Sequence, residues 1–212
     1  MFSVIFDMDG TLLATQQIYV PAWDIMGARQ GVENLGRRLP EVCGMNEQGW
    51  CGFLKEQYPE MDVERFKNEV YAYVAEHQTL TFKKGALELL DFLKAHHIKM
   101  AVASGSNTDM VRAHMEELGA LDYFETVVGG EQVQRGKPAP DIYLQAAKAL
   151  GADPADCFAV EDSGNGIRSA HAAGMKCIGV PDLAAFNEEI KALLFAELTS
   201  LEEGIQLLRP YV

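Results

Sequence analysis

A short apolar run at the start of the chain, Phe2 to Phe6, is cut off by two carboxylates two positions apart, Asp7 and Asp9, and then by Gly10 and Thr11. A run of that length ended by a glycine-containing turn is the pattern of a buried strand. Asp7 and Asp9 then stand at the strand's C-terminal end, the edge at which open α/β sheets bind their ligands. Two like charges so close cost energy unless a cation or a reaction uses them. A strand followed by an Asp-Gly turn gives the same letters without any chemistry, so this stretch alone leaves both readings open.

From Phe82 onward strands and helices alternate. Ala86 to His96 reads as an amphipathic helix with Leu87, Leu90 and Leu93 on its inner face, and Ile98 to Ala103 as a strand ended by Ser104-Gly105-Ser106-Asn107. Thr108 to Leu118 is a helix closed by Gly119, and Thr126 to Val128 a short strand. Lys137-Pro138-Ala139-Pro140-Asp141 introduces a helix to Leu150. Cys157 to Val160 is a strand broken by Glu161-Asp162-Ser163-Gly164, with a helix to Ala173 behind it. Lys176 to Val180 is the next strand, and the tail carries helices near Asn187–Leu194 and Leu201–Arg209. The alternation predicts an α/β fold: a Rossmann-like, doubly wound parallel sheet with helices on both faces.

Residues 14–81 interrupt this pattern. They are poor in β-branched runs and read as about four helices, with Pro21 suited to the first position of one of them. Trp23, Trp50 and Tyr19 read as its core more readily than as substrate stackers. The chain therefore divides into a core, residues 1–13 and 82–212, and an inserted helical unit, 14–81.

A length of 212 residues suits one sizeable domain with an insertion, and a net charge of −13 argues against a broad nucleic-acid or anionic-membrane surface. No targeting segment and no membrane-length apolar stretch is evident, so a cytoplasmic location is expected. The four cysteines form no C-x-x-C pair, and Cys157 and Cys177 read as small core residues.

In a doubly wound sheet the polar clusters Asp7/Asp9, Ser104, Lys137 and Glu161/Asp162 share one edge. Clustered carboxylates there suit a hard cation, Mg²⁺ first, because it binds through a few carboxylates together with substrate phosphate. Lys137, Ser104 and the backbone amides of Gly10 and Thr11 suit phosphate oxygens. With no histidine or cysteine in the set, a carboxylate is the natural nucleophile, giving an aspartyl-phosphate, while the second carboxylate moves protons. Each cluster also has a plain structural reading: Ser104 as a helix cap, Lys137 as a loop lysine, Glu161-Asp162 as an acidic helix start.

Taken in order, Asp7-Met8-Asp9-Gly10-Thr11, Ser104, Lys137-Pro138 and Glu161-Asp162 resemble the four motifs of the haloacid dehalogenase superfamily of phosphatases and phosphomutases. The resemblance spans the chain and implies a Rossmann-like core with a helical cap inserted after the first motif. It implies Asp7 as nucleophile and metal ligand, and Asp9 as general acid/base with its carbonyl on the metal. Ser104 and Lys137 would hold the phosphoryl group, and Asp162, joined by Glu161, would ligate Mg²⁺. The implied activity is a Mg²⁺-dependent phosphatase acting on a small phosphorylated metabolite, a sugar phosphate or similar. A β-phosphoglucomutase-like phosphomutase is the alternative, and a non-enzymatic phospho-accepting switch a remote one. Against the mutase, Val42–Glu47 lacks the expected Arg and Ala14–Gln17 lacks the usual acidic pair. Lys55, Arg65, Arg37 and Arg38 are the possible substitutes.

Overall fold

The computed structural model describes residues 2–212, so Met1, the first residue of the N-terminal unit, lies outside it. Six strands form one sheet: β1 (Ser3–Phe6), β2 (Lys99–Ala103), β3 (Thr126–Val128), β4 (Cys157–Glu161), β5 (Lys176–Gly179) and β6 (Leu194–Glu197). Their order is β3-β2-β1-β4-β5-β6 and every pairing is parallel. The order reverses at β1, the place where an open α/β sheet leaves a crevice beyond its strand ends.

Alternation along each strand sorts the side chains onto two faces. Val4 and Phe6, Met100 and Val102, and Phe158 and Val160 pack on the side of α5 (Ala86–Ala95), α6 (Thr108–Glu117) and α10 (Glu202–Leu208). Ile5, Ala101, Ala103, Cys157, Ala159 and Cys177 face α7 (Asp141–Leu150), α8 (Gly164–Ala172) and α9 (Glu188–Lys191). The second face is built from small residues, and Ala146, Ala147 and Ala170 of the helices above it match them. Cys157 and Cys177 thus take the core positions expected of them.

Between β1 and β2 the chain makes α1 (Gln16–Ala28), α2 (Leu39–Val42), α3 (Glu47–Gln57) and α4 (Val63–His77), with a 3-10 turn at Leu35–Arg38. These helices enclose their own apolar cluster, with Trp23, Leu35, Leu54 and Phe66 at its centre. The two chain crossings that connect them to the sheet lie side by side. Ala14 N–H donates to Thr81 O at 2.9 Å and Lys83 N–H to Leu12 O at 2.8 Å. The helical layer also rests on the loops of the sheet edge. Asn165 donates to the carbonyls of Glu41 and Cys43, both at 3.0 Å, and Asn46 to that of Gly130 at 3.2 Å. Gly44 lies so close that a Cβ there would stand 2.5 Å from Ser163 Oγ, and its φ of +81° is itself one that glycine tolerates best.

Three expectations change. Pro21 does not open a helix: α1 begins five residues earlier, at Gln16, and Pro21 lies inside it. The Thr15 hydroxyl at that helix start bonds Asp9, six residues earlier, instead of capping. Leu87 is exposed, and Leu89 takes the inner position beside Leu90 and Leu93. The tail helix is shorter than its apolar content suggests, because Asn187 caps only Glu188–Lys191 and the following Leu194–Glu197 pairs with β5 as a sixth, edge strand. No helix among the described residues is long and apolar enough to cross a membrane.

Candidate active site

Asp7 leaves the end of β1, the Ser104 loop leaves β2 and Glu161 closes β4, and these three strands are neighbours. Lys137, from the loop before α7, reaches into the gap between them. Its Nζ donates to Asp7 Oδ1 at 2.6 Å, to Glu161 Oε1 at 2.6 Å and to the Ala103 carbonyl at 3.0 Å. Asp7, Lys137 and Glu161 are all buried. The lysine is therefore no solvated loop residue: its charge is held between two carboxylates in a site closed to bulk water.

The neighbouring groups are fixed as tightly. Glu161 Oε1 also accepts from the Tyr143 hydroxyl at 2.8 Å. Its Oε2 accepts from the Asp162 and Ser163 amides, each at 3.1 Å, and from the Ser163 hydroxyl at 3.0 Å. Asp9 Oδ1 accepts from Thr15 at 2.7 Å, and its Oδ2 from Ser106 at 2.8 Å and Ser104 at 3.3 Å. Asp162 accepts from the Thr11 hydroxyl at 3.2 Å and from the Gln16 amide at 2.9 Å. The same Gln16 nitrogen donates to the Asp9 carbonyl at 2.7 Å. Asp9 and Asp162 are thus oriented by chain segments far apart in sequence.

Ser104 does not cap α6. Asn107 does that, accepting from the Met110 amide, and the Ser104 hydroxyl faces Asp9. The Gly10 amide, expected on phosphate, is engaged by the Leu13 carbonyl at 2.9 Å. Gly10 serves the turn instead, with φ +85° and Asp162 Oδ2 only 2.4 Å from where a Cβ would stand.

Burial dominates the electrostatics. It pushes the Asp7 carboxyl up to about 8; Lys137 opposes the rise, while Glu161 and Asp9 add to it. Asp162 is pushed well above the usual carboxylate range by burial, then by Glu161 and Asp7. For Lys137 burial works against the charge, but Asp7 and Glu161 outweigh it and hold the ammonium above its ordinary value. Asp7, Glu161 and Asp162 each offer a carboxylate oxygen, and these lie within 4.8 Å of one another. One lysine among three buried carboxylates leaves negative charge that a hard, oxygen-preferring dication would offset. The donor set fits such an ion.

Above this edge lies a cavity of about 490 Å³, floored by Asp7 and Asp9 and walled on the helical side by Tyr19, Trp23, Trp50 and Tyr71. The aromatic residues that the sequence assigned to packing therefore do two jobs. Trp23 packs on Phe66 with ring centroids 5.4 Å apart and also faces the cavity. Among the described residues no Lys or Arg lines it. Arg38 is held by Glu41 and Tyr58, Arg65 by Glu69, and Lys55 faces Glu64, while Arg37 lies on the exposed surface. None of the four takes the place of a substrate-gripping cation.

Thr15, Gln16, Ser106, Tyr143 and Ser163 were not singled out from the sequence. Ser106 and Ser163 carried a local signal, their places in the polar runs after β2 and β4. Ser163 sits beside the acidic pair and caps α8 as well.

This is a doubly wound α/β domain with its acidic residues at the sheet's switch point. The family model for haloacid dehalogenase-like hydrolases matches residues 3–174, and the chain belongs to that family. It is 33% identical over 215 residues to the phosphorylated carbohydrates phosphatase of Thermotoga maritima, covering 98% of this chain and 97% of that protein. It is 33% identical over 183 residues to the bifunctional riboflavin kinase/FMN phosphatase of Arabidopsis thaliana, over 85% of this chain. The chain spans about half of that relative, 48% of its length. The crystal structure of CbbY from Rhodobacter sphaeroides in complex with phosphate superposes with a TM-score of 0.76 at 28% identity, over 96% of both chains.

Proposed function

We propose that the protein is a Mg²⁺-dependent phosphatase that hydrolyses a small phosphomonoester through an aspartyl-phosphate on Asp7. The observation that carries this reading is the pairing at the cavity floor: Asp7 beside the buried ammonium of Lys137, and Asp9 held by three hydroxyls. The names of relatives that act on phosphorylated carbohydrates and FMN point to the same reaction class.

In this reading Asp7 attacks phosphorus in line with the ester oxygen, which leaves with a proton supplied by Asp9. A water molecule then gives its proton back to Asp9 as it attacks the acyl-phosphate, releasing phosphate and restoring the Asp7 carboxylate. Thr15, Ser104 and Ser106 fix the direction of the Asp9 carboxyl through both transfers. Lys137 stays beside Asp7 and draws charge from the phosphoryl oxygens, a contribution that is large in a water-excluded site. Tyr143 and Ser163 act through Glu161, holding it so that Lys137 cannot swing away. Mg²⁺, held by Asp7, the Asp9 carbonyl and Asp162, with Glu161 beside them, would supply charge neutralisation to the transferring group. Residues 14–81 act as the cap that closes the cavity.

The mutase alternative calls for a grip on a second phosphate, and the lining offers no cation for it. Asp7→Asn should abolish phosphate release from glycerol 2-phosphate in the presence of Mg²⁺ while the protein still unfolds in one cooperative thermal transition. Turnover retained by that variant would remove Asp7 from the mechanism.

A further inference from the structure

The cavity above Asp7 has polar residues in its wall, and four of them, Asn46, Glu47, Glu131 and Gln16, already hydrogen-bond within the protein. Asn46 accepts from the Gly49 amide with its oxygen and donates to the Gly130 carbonyl with its nitrogen. The two oxygens of Glu47 are held by Lys67 and Tyr71. Those of Glu131 are held by the hydroxyl and amide of Thr108. Gln16 is committed to Asp9, Asp162 and Cys43. A polyhydroxylated alcohol entering here would compete with these bonds for its partners, whereas an aromatic ring needs none.

The aromatic part of the wall is continuous. Trp23 and Trp50 have ring centroids 5.8 Å apart, and Trp50 and Tyr71 6.3 Å apart. Tyr19 also borders the cavity, close enough to Asp9 for that carboxylate to raise its hydroxyl's proton affinity further beyond what burial does. The lining carboxylates are Asp7, Asp9, Glu47 and Glu131, with no Lys or Arg among the described lining residues. A second phosphate would meet negative charge. A volume of about 490 Å³ is within the usual span of small-ligand pockets and accommodates one ring system with a short linker.

We propose that the substrate's alcohol carries a planar aromatic or heteroaromatic ring, seated against Tyr19, Trp23, Trp50 and Tyr71, and bears a single phosphate. The proposal rests on the phosphatase reading and narrows it from phosphorylated metabolites in general to ring-bearing monophosphates.

Two measurements test it. The first compares kcat/KM, with Mg²⁺, for uridine and adenosine 5′-monophosphates, glucose 6-phosphate, fructose 1,6-bisphosphate and the ringless ester glycerol 2-phosphate. The better ring-bearing ester should exceed glucose 6-phosphate by roughly tenfold, the size of one good aromatic contact, and the bisphosphate should be poorest. Trp50→Ala should lower the ratio of the ring-bearing to the ringless ester roughly tenfold, and Trp50→Phe should restore most of it. The second uses fluorescence. The chain has two tryptophans, Trp23 and Trp50, and both border this cavity. Uridine or adenosine, without phosphate, should therefore quench the protein's emission saturably. Preference for glucose 6-phosphate or the bisphosphate, or a ratio unmoved by Trp50→Ala, overturns the proposal. If no ester is hydrolysed, the phosphatase reading fails by itself. The fluorescence titration then still decides the pocket, with saturable quenching supporting it and none overturning it.

Discussion

The sheet edge and the helical wall meet at one cavity and are built on opposite terms. At the edge, charge is buried. Lys137 is 3% exposed and holds two carboxylates, and Glu161 is sealed by hydrogen bonds on both oxygens. In the wall most charge is paired on the outer surface, and Glu47, which borders the cavity, is held by Lys67 and Tyr71. Arg65 pairs with Glu69 and Lys67 with Glu64 on the surface of α4, while the inside is Trp23, Leu54, Phe66 and Val70. Exposed pairs of that kind contribute about 0–1 kcal/mol each. A buried charge deprived of its partner costs several times more. The difference separates two tasks. The edge can hardly change without losing its charge balance, so the chemistry is fixed there. The wall is held mainly by apolar packing, so under the proposed reading it can adapt to select the alcohol without disturbing the reaction.

The sharpest way to break this contrast is Lys137→Met. It removes one cation and strands Asp7 and Glu161 facing each other without it. We expect a loss of about 3–5 kcal/mol in chemical denaturation, together with loss of turnover. A loss no larger than that of a surface pair would mean that water reaches the site and the burial argument is wrong. In the wall, Leu54→Ala deletes a fully buried side chain and should destabilise by about 2–5 kcal/mol through cavity formation. Its kcat for glycerol 2-phosphate, measured below the unfolding transition, should fall far less than that of the lysine variant. Equal losses of turnover would show that the edge depends on wall packing and that the two tasks are not separate.

A dication should sharpen the contrast from the other side. Three carboxylates lie within 4.8 Å of one another in the folded state and would bind it there, whereas the unfolded chain does not gather them. At a concentration one hundred times its dissociation constant, Mg²⁺ would stabilise the fold by about 2.7 kcal/mol by mass action. Thermal unfolding with Mg²⁺ or with a chelator reads this directly. Asp162→Asn should remove most of the increment, whereas Leu54→Ala should leave the increment intact on a lower baseline.

The same division explains what was legible in the sequence. Five of the six strands announce themselves as short apolar runs with turn residues behind them, and the acidic, hydroxyl and lysine clusters fall at their ends. Periodicity and local turn chemistry suffice for that. Leu194–Glu197 escaped because a genuine cap at Asn187 precedes an apolar stretch, and only the pairing with β5 decides between helix and strand. Tyr143 escaped because it occupies an ordinary inner position of α7, and its hydroxyl meets Glu161 only once the small residues Ala101, Ala103 and Ala159 let that helix approach. Thr15 and Gln16 lie in the stretch noted only for lacking an acidic pair, yet the partners that define Gln16 include Asp162, 146 positions away. The chemistry was legible where it sits on strand ends. The residues that orient it were not, because their roles exist only in the packed state.

The smallest expected effect concerns the cysteines, two in the helical layer and two in the sheet. Burial is the leading cause in all four. It pushes Cys51 and Cys157 up to about 11 and Cys177 up to about 12. Cys43 rises further, because Asp162, Asp7 and Asp9 add to its burial. A thiol whose folded-state pKa lies above its ordinary value keeps its proton while the unfolded chain has begun to lose it. Stability is therefore unaffected below about pH 8 and falls as the pH rises through the unfolded value near 9 toward 11. Denaturation midpoints measured across that range should decline, and Cys157→Ser and Cys51→Ser should each reduce the decline. Ellman's reagent at slightly alkaline pH should label the native protein slowly, since the thiolate is the reactive form. Cys43 is the most accessible, half-buried at the seam between layer and sheet while the other three are buried, so once rates are corrected for each thiol's own acidity it should react first. If a sheet cysteine reacts ahead of it, the sheet opens more readily than the layer lifts, and the rigid edge and the adaptable wall have been assigned the wrong way round.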